Sequence, residues 1–324
     1  MEKNSKNIEV SIICCVYNHE QYIKEAIESF LCQKTKFNFE VIIHDDASTD
    51  NSTKIIKEYE NKYPNIIFPI YQSVNQYSQG INFRESLIYP RIKGKYIALC
   101  EGDDYWIDPL KLQRQYEMLE NNLNVDICSH ATHVIDAKTN KIIRNISPID
   151  KNGIIPIENI IYGGGSFLAT NSLFYRSYLN SNIPNFRKYL NLDYTIQIPG
   201  ALKGGLYFFK DCMSNYRYRV PGSWTMRMTR NIDKTILFNK KLKRMLDILD
   251  FDTNHKYTKI INKTKLKIDF NEMLLTNNSE SIFETRFKPI ISELTYLNKI
   301  KLYLRKIIPS KLISKYRNIC NKLE

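Results

Sequence analysis

Long apolar runs are missing from this sequence: the longest, Ile12 to Tyr17, has six residues. A membrane-spanning helix needs about 20, so a transmembrane segment is not expected. The opening residues MEKNSKNIEV hold neither the apolar stretch nor the small-residue cleavage site of a secretory leader. The expected location is the cytoplasm. Cysteine pairs are missing too: the seven Cys form no C-x-x-C, and Cys14, Cys15 and Cys100 lie inside apolar segments. That pattern predicts buried free thiols in place of disulfides or a thiolate metal site. No G-x-G-x-x-G follows the first apolar segment, and no G-x-x-x-x-G-K-[ST] occurs anywhere. Both phosphate-cradling glycine loops are thereby excluded, and a phosphate ligand must be met by side chains and a metal.

What is present fits a folded protein. The 324 residues are 43% hydrophobic, 25% charged and 12% aromatic, enough for a core and for about two domains. The net charge of +13 is uneven. Residues 1–230 carry 27 Lys and Arg against 24 Asp and Glu, whereas residues 231–324 carry 20 against 10. A nearly neutral body, 1–230, therefore bears a basic tail, 231–324, suited to nucleic acid, an anionic membrane surface or an acidic partner.

Along 1–135 two periodicities alternate. Val10–Val16, Phe39–His44, Ile66–Tyr71 and Tyr96–Cys100 are short apolar runs of strand length. Between them, 20–34, 52–63 and 82–92 repeat apolar residues at helical spacing, and 108–121 follows as another helix. Strands separated by helices of 10–15 residues predict βαβ units and a mostly parallel, Rossmann-like sheet flanked by helices. The middle is less regular, with a strand near 172–175, a helix near 192–202 and a strand at 206–209. From 231 onward the pattern is helical: 232–249, 256–275, 282–297 and a last pair broken at Pro309.

Polar clusters stand at the carboxyl ends of three of these strands, where open α/β sheets bind ligands. They are Tyr17-Asn18-His19, His44 to Asp50, and Glu101 to Trp106. Ser48 and Asp50 also suit helix capping. Glu101, Asp103 and Asp104 put three carboxylates within four residues. Uncompensated they would repel one another and raise their pKa values. A hard cation, Mn²⁺ or Mg²⁺ with a diphosphate, would relieve that.

VSIICCVYNHEQYI, FEVIIHDDASTDNS and GKYIALCEGDDYWIDP, in that order and spacing, resemble the family 2 glycosyltransferases. The resemblance is close over about 8–135 and looser to 230. It implies a GT-A fold, with Tyr17, Asn18, Asp46 and Ser48 lining the nucleotide pocket. Glu101, Asp103 and Asp104 would hold metal and diphosphate, with Glu replacing the family's first Asp. The implied catalytic base is Asp193, although Leu192 stands where the family often has Glu. Arg217, Arg219 and Trp224 resemble the closing segment over the diphosphate. The Q-x-x-R-W signature of processive members is absent, which implies one sugar per visit.

The reading that results is an inverting, metal-dependent transferase of hexosyl type. It would take a nucleotide-sugar donor, UDP-linked by preference, and a glycan or polyprenyl-linked acceptor in surface polysaccharide synthesis. A nucleotidyltransferase would want a glycine- and basic-rich loop after the first strand, and VYNHEQY offers none. A sugar- or nucleic-acid-binding protein would not need an acidic pocket, so no nucleic acid partner is expected. Residues 299–324, with eight Lys/Arg and one acid, are expected either to lie on an anionic membrane surface at its inner face or to pack as a basic helix pair on the catalytic domain.

Overall fold

The computed structural model describes residues 7–190, 192–229, 231–276 and 281–307. The expected helix break at Pro309 and the basic residues beyond 307 lie outside the described residues. The chain divides into two compact units, Met1–Ser223 and Trp224–Glu324.

The first unit opens with strict alternation: β1 (Ile8–Val16), α1 (Ile23–Leu31), β2 (Asn38–Asp45), α2 (Ser52–Lys62) and β3 (Ile67–Tyr71). β4 (Tyr96–Leu99), β5 (Tyr105–Trp106), α3 (Lys111–Asn121), β6 (Ile127–Asp136), β7 (Ile142–Ile146) and β8 (Gly153–Ile155) follow. The unit is completed by α4 (Ile157–Gly163), β9 (Phe174–Arg176), α5 (Asn185–Tyr189), α6 (Asp193–Ala201) and β10 (Leu206–Tyr218). All ten strands share one sheet in the order β3-β2-β1-β4-β9-β6-β10-β5, with β7 on β6 and β8 on β10. Pairing is parallel through β3-β2-β1-β4. Beyond β4 the sheet is mixed: β9 runs antiparallel to β4 and β6, while β10 is parallel to β6. The parallel portion is where helical crossovers supply the long return that parallel strands require.

Core packing explains the first half. Val10, Ile12, Cys14 and Val16 of β1 and Ile23, Ala26, Ile27 and Phe30 of α1 belong to one buried cluster with Trp106. Burying each aliphatic side chain contributes roughly 1.5–3 kcal/mol. Phe30 meets the Trp106 ring edge-on at 4.8 Å.

Two elements differ from the sequence expectation. Residues 82–92 form a wide π turn (Arg84–Ile88) and a 3₁₀ turn (Tyr89–Arg91) instead of one α-helix; Pro90 cannot donate the helical hydrogen bond there. β10 runs 13 residues, not four. Its pairing with β6 slips at Phe209/Cys212 and again at Cys212/Ser214, and these bulges break the alternation that marks a strand.

The second unit is helical: α7 (Trp224–Thr229), α8 (Ile232–Asp252), α9 (Thr258–Leu275), α10 (Lys288–Glu293) and α11 (Tyr296–Ile307). Asn231 caps α8, its side-chain oxygen accepting from the Lys234 N–H at 2.9 Å. Phe270, Ile282, Phe287, Ile290 and Leu302 form a small core. The expected helix 282–297 is instead two 3₁₀ turns, α10 and the start of α11. Pro289 sits in the first turn of α10, where it starts a helix more readily than it continues one. No helix among the described residues is long and apolar enough to cross a membrane.

Candidate active site

The carboxyl ends of β1, β2 and β4 meet at one cleft. β1 ends in an exposed Tyr17 and in Asn18, whose φ of 57° is left-handed. Asn tolerates that region better than most residues. Its N–H donates to Ser48 Oγ at 3.0 Å, and its Oδ1 accepts the Thr49 N–H at 2.8 Å. Ser48 N–H in turn donates to Asp45 Oδ1 at 3.1 Å. The ends of β1 and β2 are thus laced together, with a second left-handed residue, Ala47, between Asp46 and Ser48. Backbone strain of this kind gathers at ligand sites.

Asp46 is buried, and both its carboxylate oxygens accept backbone N–H bonds, from Gln76 at 2.7 Å and Tyr77 at 3.0 Å. The loop after β3 is therefore pinned to the end of β2. His44 is also buried, stacked on Phe83 at 4.3 Å and 5°. Burial lowers its pKa, outweighing Asp46 and Asp45, so the ring is neutral.

The three carboxylates after β4 occupy three different environments. Asp104 is 1% exposed; its Oδ1 accepts the Arg217 N–H at 2.9 Å and its Oδ2 accepts Asn171 Nδ2 at 3.0 Å. Burial, then the Asp103 charge, pushes its pKa well up. Asp103 faces the cleft, 3.9 Å from His19 Nε2. Glu101 reaches solvent, but desolvation by the cleft wall, with Asp193 and Asp103 nearby, pushes it up to about 7 against the opposing Arg84 charge. Gly102 lets this turn lie against β1: a Cβ there would stand 2.8 Å from Val16 Cγ2 and 3.0 Å from His19 Nδ1.

Arg84, which the sequence reading did not single out, ties this cluster to Asp193. Its two terminal nitrogens donate to Glu101 Oε1 and Asp193 Oδ1, each at 2.9 Å. Burial opposes the Arg84 charge, but Asp193, Cys15 and Glu101 outweigh it and hold the guanidinium protonated. Asp193 opens α6 at its positive N-terminal end, and its Oδ2 accepts from Thr170 Oγ1. Arg84 is carried by a π turn, of a kind that concentrates at functional sites. The turn is invisible in a pattern that reads as an ordinary helix.

The other expected residues spread further. Arg217 is buried, donating to the Asp103 carbonyl at 2.7 Å and pairing with Glu25. Arg219, left-handed at φ 71°, pairs with Asp136 at 3.7 Å. Trp224 belongs to the second unit and packs edge-on against Phe238 at 5.3 Å. Among the described residues, no group of three or more His, Cys, Asp and Glu is arranged as a metal cage. The donor set still suits a cation that shares its shell with phosphate. Asp103 Oδ2 lies no nearer than 3.9 Å to His19 Nε2, while both Asp104 oxygens and Glu101 Oε1 already accept hydrogen bonds. A Mg²⁺-like ion commonly takes one or two carboxylates plus phosphate oxygens. Cys14, Cys100 and Cys128 are buried, Cys15 and Cys212 partly so and Cys32 exposed; all six are free.

The sequence profile described as "Glycosyl transferase family 2" matches residues 11–196. The chain belongs to that family. "Uncharacterized protein Rv1520" of Mycobacterium tuberculosis is 36% identical over 221 residues, which is 66% of this chain and 60% of that one. The chain thus spans less than two thirds of that relative's length. The "Poly(ribitol-phosphate) beta-glucosyltransferase" of Bacillus spizizenii is 34% identical over 36% of this chain and 18% of its own. Among solved structures, S. aureus TarS 1–349 in complex with UDP-GlcNAc superposes with a TM-score of 0.57 at 16% identity, covering 92% of this chain and 79% of that one. The fold is GT-A.

Proposed function

We propose that this family 2 member is an inverting glycosyltransferase. It moves one hexosyl unit from a nucleotide-diphosphate donor, UDP-linked by preference, to a hydroxyl of a glycan or lipid-linked acceptor in surface polysaccharide synthesis. The observation that carries the reading is the Glu101–Arg84–Asp193 bridge, which joins the diphosphate motif to a carboxylate at a helix start. Asp193 accepts one bond from Arg84 and one from Thr170. A carboxylate has about four acceptor positions, so it keeps room for an acceptor hydroxyl. As general base it removes that proton, a contribution of about 10²–10⁴-fold. The hydroxyl attacks the anomeric carbon opposite the diphosphate, and the configuration inverts. Asp103 is the side chain that would hold Mn²⁺ or Mg²⁺, with Asp104 fixing its turn. Such a cation, when bound, supplies Lewis-acid stabilisation of the leaving diphosphate. Asp46, Asn18, Ser48 and Tyr17 frame the nucleotide side, Arg217 braces the Asp103 backbone, and Arg219 is the candidate for the closing segment.

The donor class is supported by the ligands of structural relatives, UDP-GlcNAc on TarS and GDP-Man with Mn²⁺ on Pyrobaculum calidifontis PcManGT. A surface-polymer acceptor is supported by relatives whose names refer to poly(ribitol-phosphate) and teichoic acid. The basic helix α11 supports contact with an anionic membrane surface. Leu297, Ile300, Tyr303 and Leu304 are exposed along it, whereas Leu302 is buried in the unit's own core. The test is a panel of UDP-, GDP- and dTDP-sugars scored by thermal shift with Mn²⁺ or Mg²⁺, followed by sugar-transfer assays. A melting curve unmoved by every nucleotide with both metals would refute the donor class.

A further inference from the structure

We infer that a second polar cavity in the first unit is an anion site for a phosphate or phosphodiester group. It has a volume of about 500 Å³ and lies between the 84–91 turns and the 177–188 segment. Ser177, in its wall, donates its N–H to the Lys95 carbonyl at the start of β4. The carboxylates of the candidate active site follow the other end of that strand. The two sites are therefore separate.

Behind the cavity sits Arg187, 1% exposed. It donates to the Tyr89 hydroxyl at 2.7 Å, to Asn180 Oδ1 at 2.6 Å and to the Leu179 carbonyl at 3.1 Å. All three acceptors are neutral, and among the described residues no carboxylate pairs with it. The other two buried arginines are treated differently: Arg176 pairs with Asp126 at 3.2 Å and Arg217 with Glu25. A buried cation without a counter-charge is strongly disfavoured, so the missing partner is an anion from solution.

The cavity is built to receive one. Tyr89 and Asn180, two of the groups that hold Arg187, line it, and Lys188 and Ser181 join them. Arg187 Nε, Asn180 Nδ2 and the Tyr175 hydroxyl are buried without a hydrogen-bond partner, the last two side by side outside bonding geometry. Glu85, the one acid in the wall, already accepts from Asn82 Nδ2 at 2.9 Å. Lys188 in the wall, with the Tyr89 and Ser181 hydroxyls and the Asn180 amide, suits phosphate oxygens, and the Arg187 charge lies directly behind Tyr89 and Asn180; the volume has room for an attached polyol or sugar.

The test is calorimetric titration of the full chain at fixed ionic strength with inorganic phosphate, glycerol 3-phosphate and a glycerol phosphodiester oligomer. Saturable binding is expected. Asn180→Asp places a carboxylate beside Arg187; it should weaken binding at least ten-fold and raise the melting temperature in phosphate-free buffer. Lys188→Ala, at an exposed position, should weaken binding three- to ten-fold, and Lys188→Glu more, whether or not Asn180→Asp folds. UDP binding with Mn²⁺ should be unchanged in all three. Tighter binding of the oligomer assigns the site to a polymer or headgroup phosphodiester, and tighter binding of the small phosphates assigns it to a free metabolite. No binding by the wild type, or wild-type binding by both Lys188 variants, overturns the proposal.

Discussion

Two desolvated cations of the first unit meet opposite surroundings. Arg84 lies between two carboxylates at the cleft. Lys111, wholly buried under the sheet, has Gln115 Oε1 at 2.7 Å and the Trp106 ring at 4.0 Å; among the described residues no carboxylate pairs with it. At Arg84, attraction offsets the cost of desolvation and the three groups fix one another. At Lys111 the cost goes uncompensated, and burial drives the ammonium down to about 7. Matched charge marks the place where geometry has to be held for chemistry. At Lys111 the unmatched charge marks a place where stability can be recovered.

The largest expected effect tests the matched end. Asp193→Asn keeps the shape but removes the proposed base, so transfer should fall by about 10³-fold, within the usual range for a general base. The UDP-dependent thermal shift should persist, because the group acts in the transition state and not in donor binding. Full transfer by the variant, measured as product per enzyme, would move the base elsewhere.

Arg84→Met breaks the same cluster from its centre. Removing one partner of a desolvated ionic group typically costs about 3–5 kcal/mol, readable by urea unfolding at pH 8. The sign of its pH dependence follows from Glu101, already raised to about 7 by desolvation. An acid raised in the folded state contributes stability below its unfolded value, and that stability is lost as pH climbs through the folded value. Without Arg84 the folded value rises further. The variant should therefore recover toward wild type at pH 5, and an equal deficit at pH 5 and pH 8 would contradict the bridge.

How much of this was legible in the sequence depended on whether neighbours in space were neighbours in the chain. β1, α1, β2, α2 and β3 announce themselves because each buries one face with its own period, as Ile23, Ala26, Ile27 and Phe30 do. Glu101, Asp103 and Asp104 were legible because one turn holds all three. Arg84 was not: its partners lie 17 and 109 residues away, and nothing local distinguishes it from a surface arginine. Asn171, which donates to Asp104 from 67 residues away, was hidden in the same way. The mixed side of the sheet was obscure because its strands are two to five residues long or carry bulges, as β10 does.

The unmatched end should respond with the opposite sign. Lys111→Met replaces a buried ammonium with an apolar chain of similar length, and should stabilise the protein at pH 7. One pKa unit is about 1.4 kcal/mol, so a fall from 10.5 to about 7 sets an upper bound of roughly 5 kcal/mol. In the wild type the unfolded chain holds this proton between about 7 and 10.5 while the folded one has released it. Stability from this group therefore rises with pH across that window. Unfolding at pH 7 and pH 9 should show the rise in the wild type and its absence in Lys111→Met. A destabilised variant would mean that the Trp106 and Gln115 contacts outweigh desolvation.

The smallest effect is expected at Thr170, which touches the matched cluster from outside. Its hydroxyl donates to Asp193 Oδ2, the oxygen that Arg84 leaves unbonded. A hydrogen bond to a charged group contributes about 1.5–3 kcal/mol, but Arg84 still holds the other oxygen when it is lost. Thr170→Val keeps the volume and the β-branch, so transfer should drop about ten-fold with KM for the donor unchanged. Thr170→Ser, which restores the hydroxyl, should return most of that loss. If Val and Ser lower kcat equally, the methyl group's packing is what matters and Asp193 is held by Arg84 alone.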